Sequence, residues 1–157
     1  MIVSKTFEDL FSELQTDMVA VCMEYVEDRA DDIYIYGSYE PEMYSWNVFY
    51  RISGKVVRKH RLNDALQQSH EEVEQYDVSD ERQRLLLKVG MEDLTKLHDL
   101  CREYQMDCPT EIKLHYDVKE NKLAAKYQYD LIYSNDEELL PSHIFDAWFE
   151  EVRSQDN

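Results

Sequence analysis

Apolar residues recur along this chain with two different periods, and the points where one period gives way to the other divide it into elements. Phe7, Leu10, Phe11, Leu14, Met18, Val21, Cys22, Tyr25 and Val26 keep helical spacing and predict an amphipathic helix ending between Asp28 and Asp32. Ser4 or Thr6 caps its start, Thr6 with Asp9 approaches a capping box, and Glu8 and Asp9 stand where the helix dipole favours acid. The period then falls to two. Residues 33–39, IYIYGSY, read as a first strand closed by Pro41, and in a second strand Trp46, Val48, Tyr50 and Ile52 alternate with Asn47, Phe49, Arg51 and Ser53. A turn at Ser53-Gly54-Lys55 leads to an edge strand over residues 56–62, which completes a meander.

Residues 63–76 carry few apolar anchors and read as a short helix or an ordered connection. Helical spacing returns after a cap at Ser79, with Leu86, Leu87, Met91, Leu94, Leu97, Leu100, Cys101 and Tyr104 on one stripe. Gly90 interrupts that stripe at a cost of about 1 kcal/mol relative to Ala, which predicts a break between Leu87 and Met91; Cys108-Pro109 ends the helix.

Two alternating runs follow, facing each other across a short turn. Ile112, Leu114, Tyr116 and Val118 lie on one side of a strand, with Glu111, Lys113, His115 and Asp117 on a wet side. After Lys119-Glu120-Asn121, where Asn121 suits the left-handed conformation, Leu123, Ala125, Tyr127, Tyr129 and Leu131 point inward in an antiparallel partner. Asn135-Asp136-Glu137-Glu138 reads as an acidic surface loop, and Pro141 opens a last helix with Ile144, Phe145, Trp148, Phe149 and Val152 on one face. The expectation is a single α+β domain over residues 1–157 with a short polar tail. Its antiparallel sheet, a meander plus a C-terminal hairpin, is covered by helices in the order α-β-β-β-α-β-β-α.

Charge narrows the function more than the motifs do. Thirty-four acidic residues against 17 basic ones leave a net charge of −17, while a hydrophobic share of 43% is ordinary for a folded chain, so the acid excess does not signal disorder. Such a chain repels nucleic acid and anionic membranes and favours a basic partner. Lys55, Arg58, Lys59, His60 and Arg61 form the one dense basic cluster, which reads as edge protection or pairing with nearby carboxylates. Cys22, Cys101 and Cys108 have unrelated spacings and read as reduced thiols; with no leader-like start and no membrane-length apolar run, the expected location is the cytoplasm.

Three glycines cannot build a phosphate loop. His60, His70, His98, His115 and His143 are scattered, no Cys-x-x-Cys occurs, and no Ser stands in a nucleophile elbow. The expectation is therefore no enzyme, no cofactor and no metal.

FEDLFSELQTDMVAVC, IYIYGSYEPEMYSWNVFYRISGKV, MEDLTKLHDLCREY, the hairpin PTEIKLHYDVKENKLAAKYQYD, and the closing helix with Pro141 and Trp148 together resemble the YezG-like family of bacterial immunity proteins. The resemblance spans most of the chain and implies binding and neutralisation of a cognate nuclease toxin, without catalysis. A nuclease presents a basic phosphate-holding surface, for which carboxylates can compete, and surface tyrosines suit the anchoring contacts. Local charge density singles out Asp136, Glu137 and Glu138, and Glu71, Glu72 and Glu74, as candidate partner-binding residues. The alternative is a non-catalytic interaction or regulatory domain, a homodimer among its forms, for a basic protein unrelated to toxins.

Overall fold

The computed structural model describes residues 5–40, 43–66 and 74–155. The candidate cap Ser4, the strand-closing Pro41, and Glu71 and Glu72 lie outside the described residues. Helix α1 (Phe7–Tyr25) begins at Thr6, whose hydroxyl accepts from the Asp9 backbone N–H while the Asp9 carboxylate accepts from that of Thr6, both at 3.1 Å. It stops at Tyr25, short of the expected end. Glu27 takes φ 54°, and the Glu27 and Asp28 N–H groups turn back to the carbonyls of Glu24 and Met23, a Schellman closure.

Strands β1 (Asp32–Glu40), β2 (Met43–Ile52) and β3 (Lys55–Arg58) form the meander, and β4 (Glu111–Asp117) with β5 (Lys122–Gln128) forms the hairpin. All pair antiparallel in one sheet of order β3-β2-β1-β4-β5, so the hairpin docks β4 against the first strand of the meander. Ser53 and Gly54 both have positive φ, 51° and 79°, which suits the twist of the tight β2–β3 turn; Asn121 takes φ 51° in the β4–β5 turn.

β3 ends earlier than its sequence suggests. Val57 packs into the core on the α1–α2 side of the sheet, so continued alternation would send Lys59 and Arg61 there and point Leu62 away. The chain instead turns into a 3-10 segment (Lys59–Leu66), kinked at Arg61, and Leu62 becomes fully buried. Arg58 pairs with Asp146 at 2.7 Å and lies 4.2 Å above the Phe149 ring, and Arg61 pairs with Asp64 at 2.7 Å, so much of the basic cluster is answered internally.

Helix α2 (Asp80–Glu103) runs unbroken through Gly90. The glycine is a packing device, because a Cβ there would overlap the indole of Trp46, itself 5% exposed. α2 closes five residues before Cys108. Gln105 takes φ 56°, its N–H bonds Arg102 O at 3.2 Å, and the Met106 N–H bonds Cys101 O at 2.8 Å.

The sheet has no wholly wet face. On one side Ile33, Ile35, Trp46, Val48, Tyr50, Ile112 and Leu114 pack with α1 and α2. On the other, Tyr34, Tyr36, Phe49 and Val56 pack against Phe145, Phe149 and Val152 of α3 (Pro141–Ser154). His115, expected to face solvent, stacks on Tyr34 at 4.4 Å and reaches Asp32 at 2.7 Å, and Glu111 is buried. The resulting α+β body has three layers, with β1 buried on both faces. The hairpin's outer strand is the reverse: Leu123, Tyr129 and Leu131, expected inside, are exposed, and β5 stops at Gln128. Lys122 and Lys126 on that edge discourage further strand pairing.

Candidate functional site

The loop between β5 and α3 presents the carboxylates of Asp136, Glu137 and Glu138 to solvent. Its anchor is Glu40, the last residue of β1, whose side chain is fully buried. One Glu40 oxygen accepts from the Ile132 N–H and Ser134 N–H at 3.0 Å each and from the Ser134 hydroxyl at 2.7 Å, and the other accepts from the Tyr133 N–H at 3.2 Å. Burial pushes the Glu40 carboxyl up, but the Ser134 hydroxyl and these backbone donors outweigh it and hold the group below its usual value. Tyr133 adds a buried ring whose hydroxyl lies 3.2 Å from that of Ser38. Further out, the Asp136 N–H bonds Tyr133 O at 3.0 Å and the Glu138 N–H bonds the Asp136 carboxylate at 2.8 Å. The acidic tip thus stands on a tethered base.

Glu74 lies elsewhere. Its side chain is exposed, and its carbonyl accepts from Arg29, three residues before β1, at 2.8 Å. The 136–138 tip is tied to the opposite end of β1, whose nine residues span roughly 30 Å. Glu74 and the 136–138 tip are therefore not one patch.

A larger acidic surface comes from the paired helices. α1 contains Glu8, Asp9, Glu13, Asp17 and Glu24 and no Lys or Arg. Between α1 and α2 lies a cleft of about 440 Å³ whose charged lining is Glu13, Asp17, Asp93, Lys96, Asp99 and Glu103. Asp93 is 3% exposed, and its Oδ2 has no hydrogen-bond partner among the described residues. Burial, then the hydrogen bond and charge of Asp17, push the Asp93 carboxyl from its ordinary 3.8 up to about 7, with Lys96 opposing. The folded chain keeps a proton that the unfolded chain has already released, so in that window Asp93 lowers stability as pH rises. Asp93→Asn is expected to unfold at higher urea than the parent above about pH 7 and to lose that pH slope. Equal midpoints at all pH values would contradict the burial cost.

On the far side of α1, Phe7, Phe11, Met106, Tyr127 and Tyr129 line an aromatic groove of about 290 Å³. Phe11 meets Tyr127 edge-on at 5.7 Å, and Phe7 meets Tyr104 at 5.8 Å, while Tyr104, Met106 and Tyr129 remain exposed. On the α3 side of the sheet the ammonium groups of Lys113 and Lys126 line a separate cleft with His115, Trp148 and Glu151.

Local charge density located the exposed tip but not the α1–α2 cleft, whose acids lie about eighty positions apart in the chain. A signal did exist: Asp17 follows Leu14 and Asp93 precedes Leu94, so both acids flank the stripes that bring the helices together. Among the described residues, no helix is long and apolar enough to cross a membrane. Comparison with known protein families and with curated proteins gives no match to this chain.

Proposed function

We propose that this chain is an immunity protein that binds and neutralises a basic nuclease toxin, acting in the cytoplasm without catalysis of its own. The observation that carries the reading is the exposed Asp136-Glu137-Glu138 tip on a base tied down by the buried Glu40 carboxylate. An acidic chain needs only diffuse charge for solubility; a carboxylate cluster held in place loses less conformational entropy on meeting a cationic surface. The net charge of −17 speeds encounter with such a surface and opposes nucleic acid competing for the same partner. The aromatic groove beside α1 supplies exposed rings of the type that anchor protein interfaces.

Co-expression with a basic nuclease encoded beside this chain tests the proposal. Survival of the host together with copurification of the two proteins is the expected result. Cell death despite full expression of the folded chain, or survival without complex formation, would remove neutralisation by binding.

A further inference from the structure

We propose that the cleft between α1 and α2 is a socket for one cationic side chain, a lysine or an arginine, projecting from the basic protein partner. This rests on the reading above only for the identity of the partner as a protein; the socket's preference for a cation stands on its own geometry.

Asp93 is the reason. A carboxylate nearly sealed from water, with the Asp17 carboxyl as its neighbour and one oxygen that accepts from no donor among the described residues, is costly to ionise, and the cost is relieved by a proton or by a cation. The cleft offers the second remedy access, because Asp93 lines it together with Leu10, Leu14 and Leu100. Leucine walls suit the alkyl stem of a long basic residue, and the buried carboxylate suits its head. The remaining charges favour the same occupant. Glu13 is already answered by Lys5 at 2.6 Å and Asp99 by Arg102 at 2.8 Å, which leaves Lys96 as the cleft's own ammonium against Asp17, Asp93 and Glu103. Glu92 adds further negative charge near Asp93. The acids are spread along two helices, and among the described residues they form no group placed to hold a metal ion, so an extended organic cation fits them better. At about 440 Å³ the space falls within the usual span of roughly 300–1,000 Å³ for ligand sites.

Occupancy is coupled to protons. A cation binds the ionised form of Asp93, so binding should tighten as pH rises through about 7, and a bound cation should draw the Asp93 carboxyl back down.

The test uses the full chain and L-argininamide as probe, with carboxyl carbon resonances followed by NMR. Saturating argininamide should lower the Asp93 titration midpoint. Its affinity should rise about tenfold between about pH 6 and about pH 8, the ratio of ionised Asp93 at the two values. Asp93→Asn should abolish that pH dependence and weaken binding about tenfold at the higher pH, while Lys96→Gln should strengthen it. Should Asp93→Asn fail to fold, the parent titration and Lys96→Gln decide the matter. An unmoved Asp93 resonance, or equal shifts of all surface carboxylates, would overturn the socket. Because the probe is used without any toxin, that failure is separate from failure of the neutralisation assay. A socket that takes argininamide while Asp93→Asn leaves copurification with the nuclease unchanged would overturn the partner assignment made here.

Discussion

Gly90→Ala is expected to destabilise the protein by about 3 kcal/mol, against the gain of about 1 kcal/mol that helix propensity alone assigns to this change in mid-helix. The added methyl would fall within the Trp46 indole, which is enclosed by the sheet and α2 and is almost inaccessible to solvent. Relief requires the indole to leave its rotamer or α2 to lift from the sheet, and lifting α2 also disturbs its packing with α1. For a domain with about 5–15 kcal/mol of total stability, such a loss is large. Urea unfolding followed by tryptophan fluorescence should show a lower midpoint. In a Trp46→Leu background most of the added cost should disappear, because the atoms in conflict are gone. A midpoint equal to or above that of the parent would mean that the indole yields freely and that the glycine is not there for packing.

Glu40→Gln should produce the second large effect, a loss of roughly 2–3 kcal/mol concentrated in the β5–α3 connection. The carboxylate faces only donors: three backbone N–H groups and the Ser134 hydroxyl. An amide removes the charge, keeps one acceptor oxygen and turns an NH2 group toward the Tyr133 N–H, so that two donors face each other and that N–H keeps only its longer 3.3 Å contact to the remaining oxygen. Hydrogen exchange should accelerate at Ile132, Tyr133 and Ser134 while the amides of β1 and β2 stay protected. The sign with pH follows from the lowered carboxyl. Its contribution is fully present above the ordinary value of 4.5 and is lost as pH falls through the lower folded value, so parent and variant should converge in acid. Uniformly faster exchange across the sheet, or no change at the three loop amides, would contradict a local tether.

These two residues also mark where sequence patterning reaches its limit. Element order and the pairings within the meander and within the hairpin follow from periodicity and short turns, whereas the β1–β4 pairing that joins them does not. The third layer is not legible in this way: Tyr34 and Tyr36 alternate with Ile33 and Ile35, and an amphipathic ring on the second face is compatible with either water or a covering helix. Gly90 carries an unfavourable intrinsic propensity whose compensation lies in a residue 44 positions away. Leu62 leaves the strand because its parity is wrong for the core, and Gln105 ends α2 through backbone geometry that non-glycine residues rarely signal. For the acidic surface, a run such as Asp136 to Glu138 is visible in one dimension, whereas Asp17 and Asp93 meet only after two helices have packed.

The central claim is that anionic side chains on a fixed frame substitute for the polyanion of a basic protein. Its most direct measurement is the association rate with the cognate nuclease across a salt series, for the parent chain and for Asp136→Lys/Glu137→Lys/Glu138→Lys. The parent should associate at roughly 10⁸ M⁻¹s⁻¹ or faster at low salt and slow steeply as salt rises, and the reversed tip should associate at least about tenfold more slowly with a flatter salt dependence. Identical rates and identical salt slopes for the two chains would place the contact away from the tip and contradict the account.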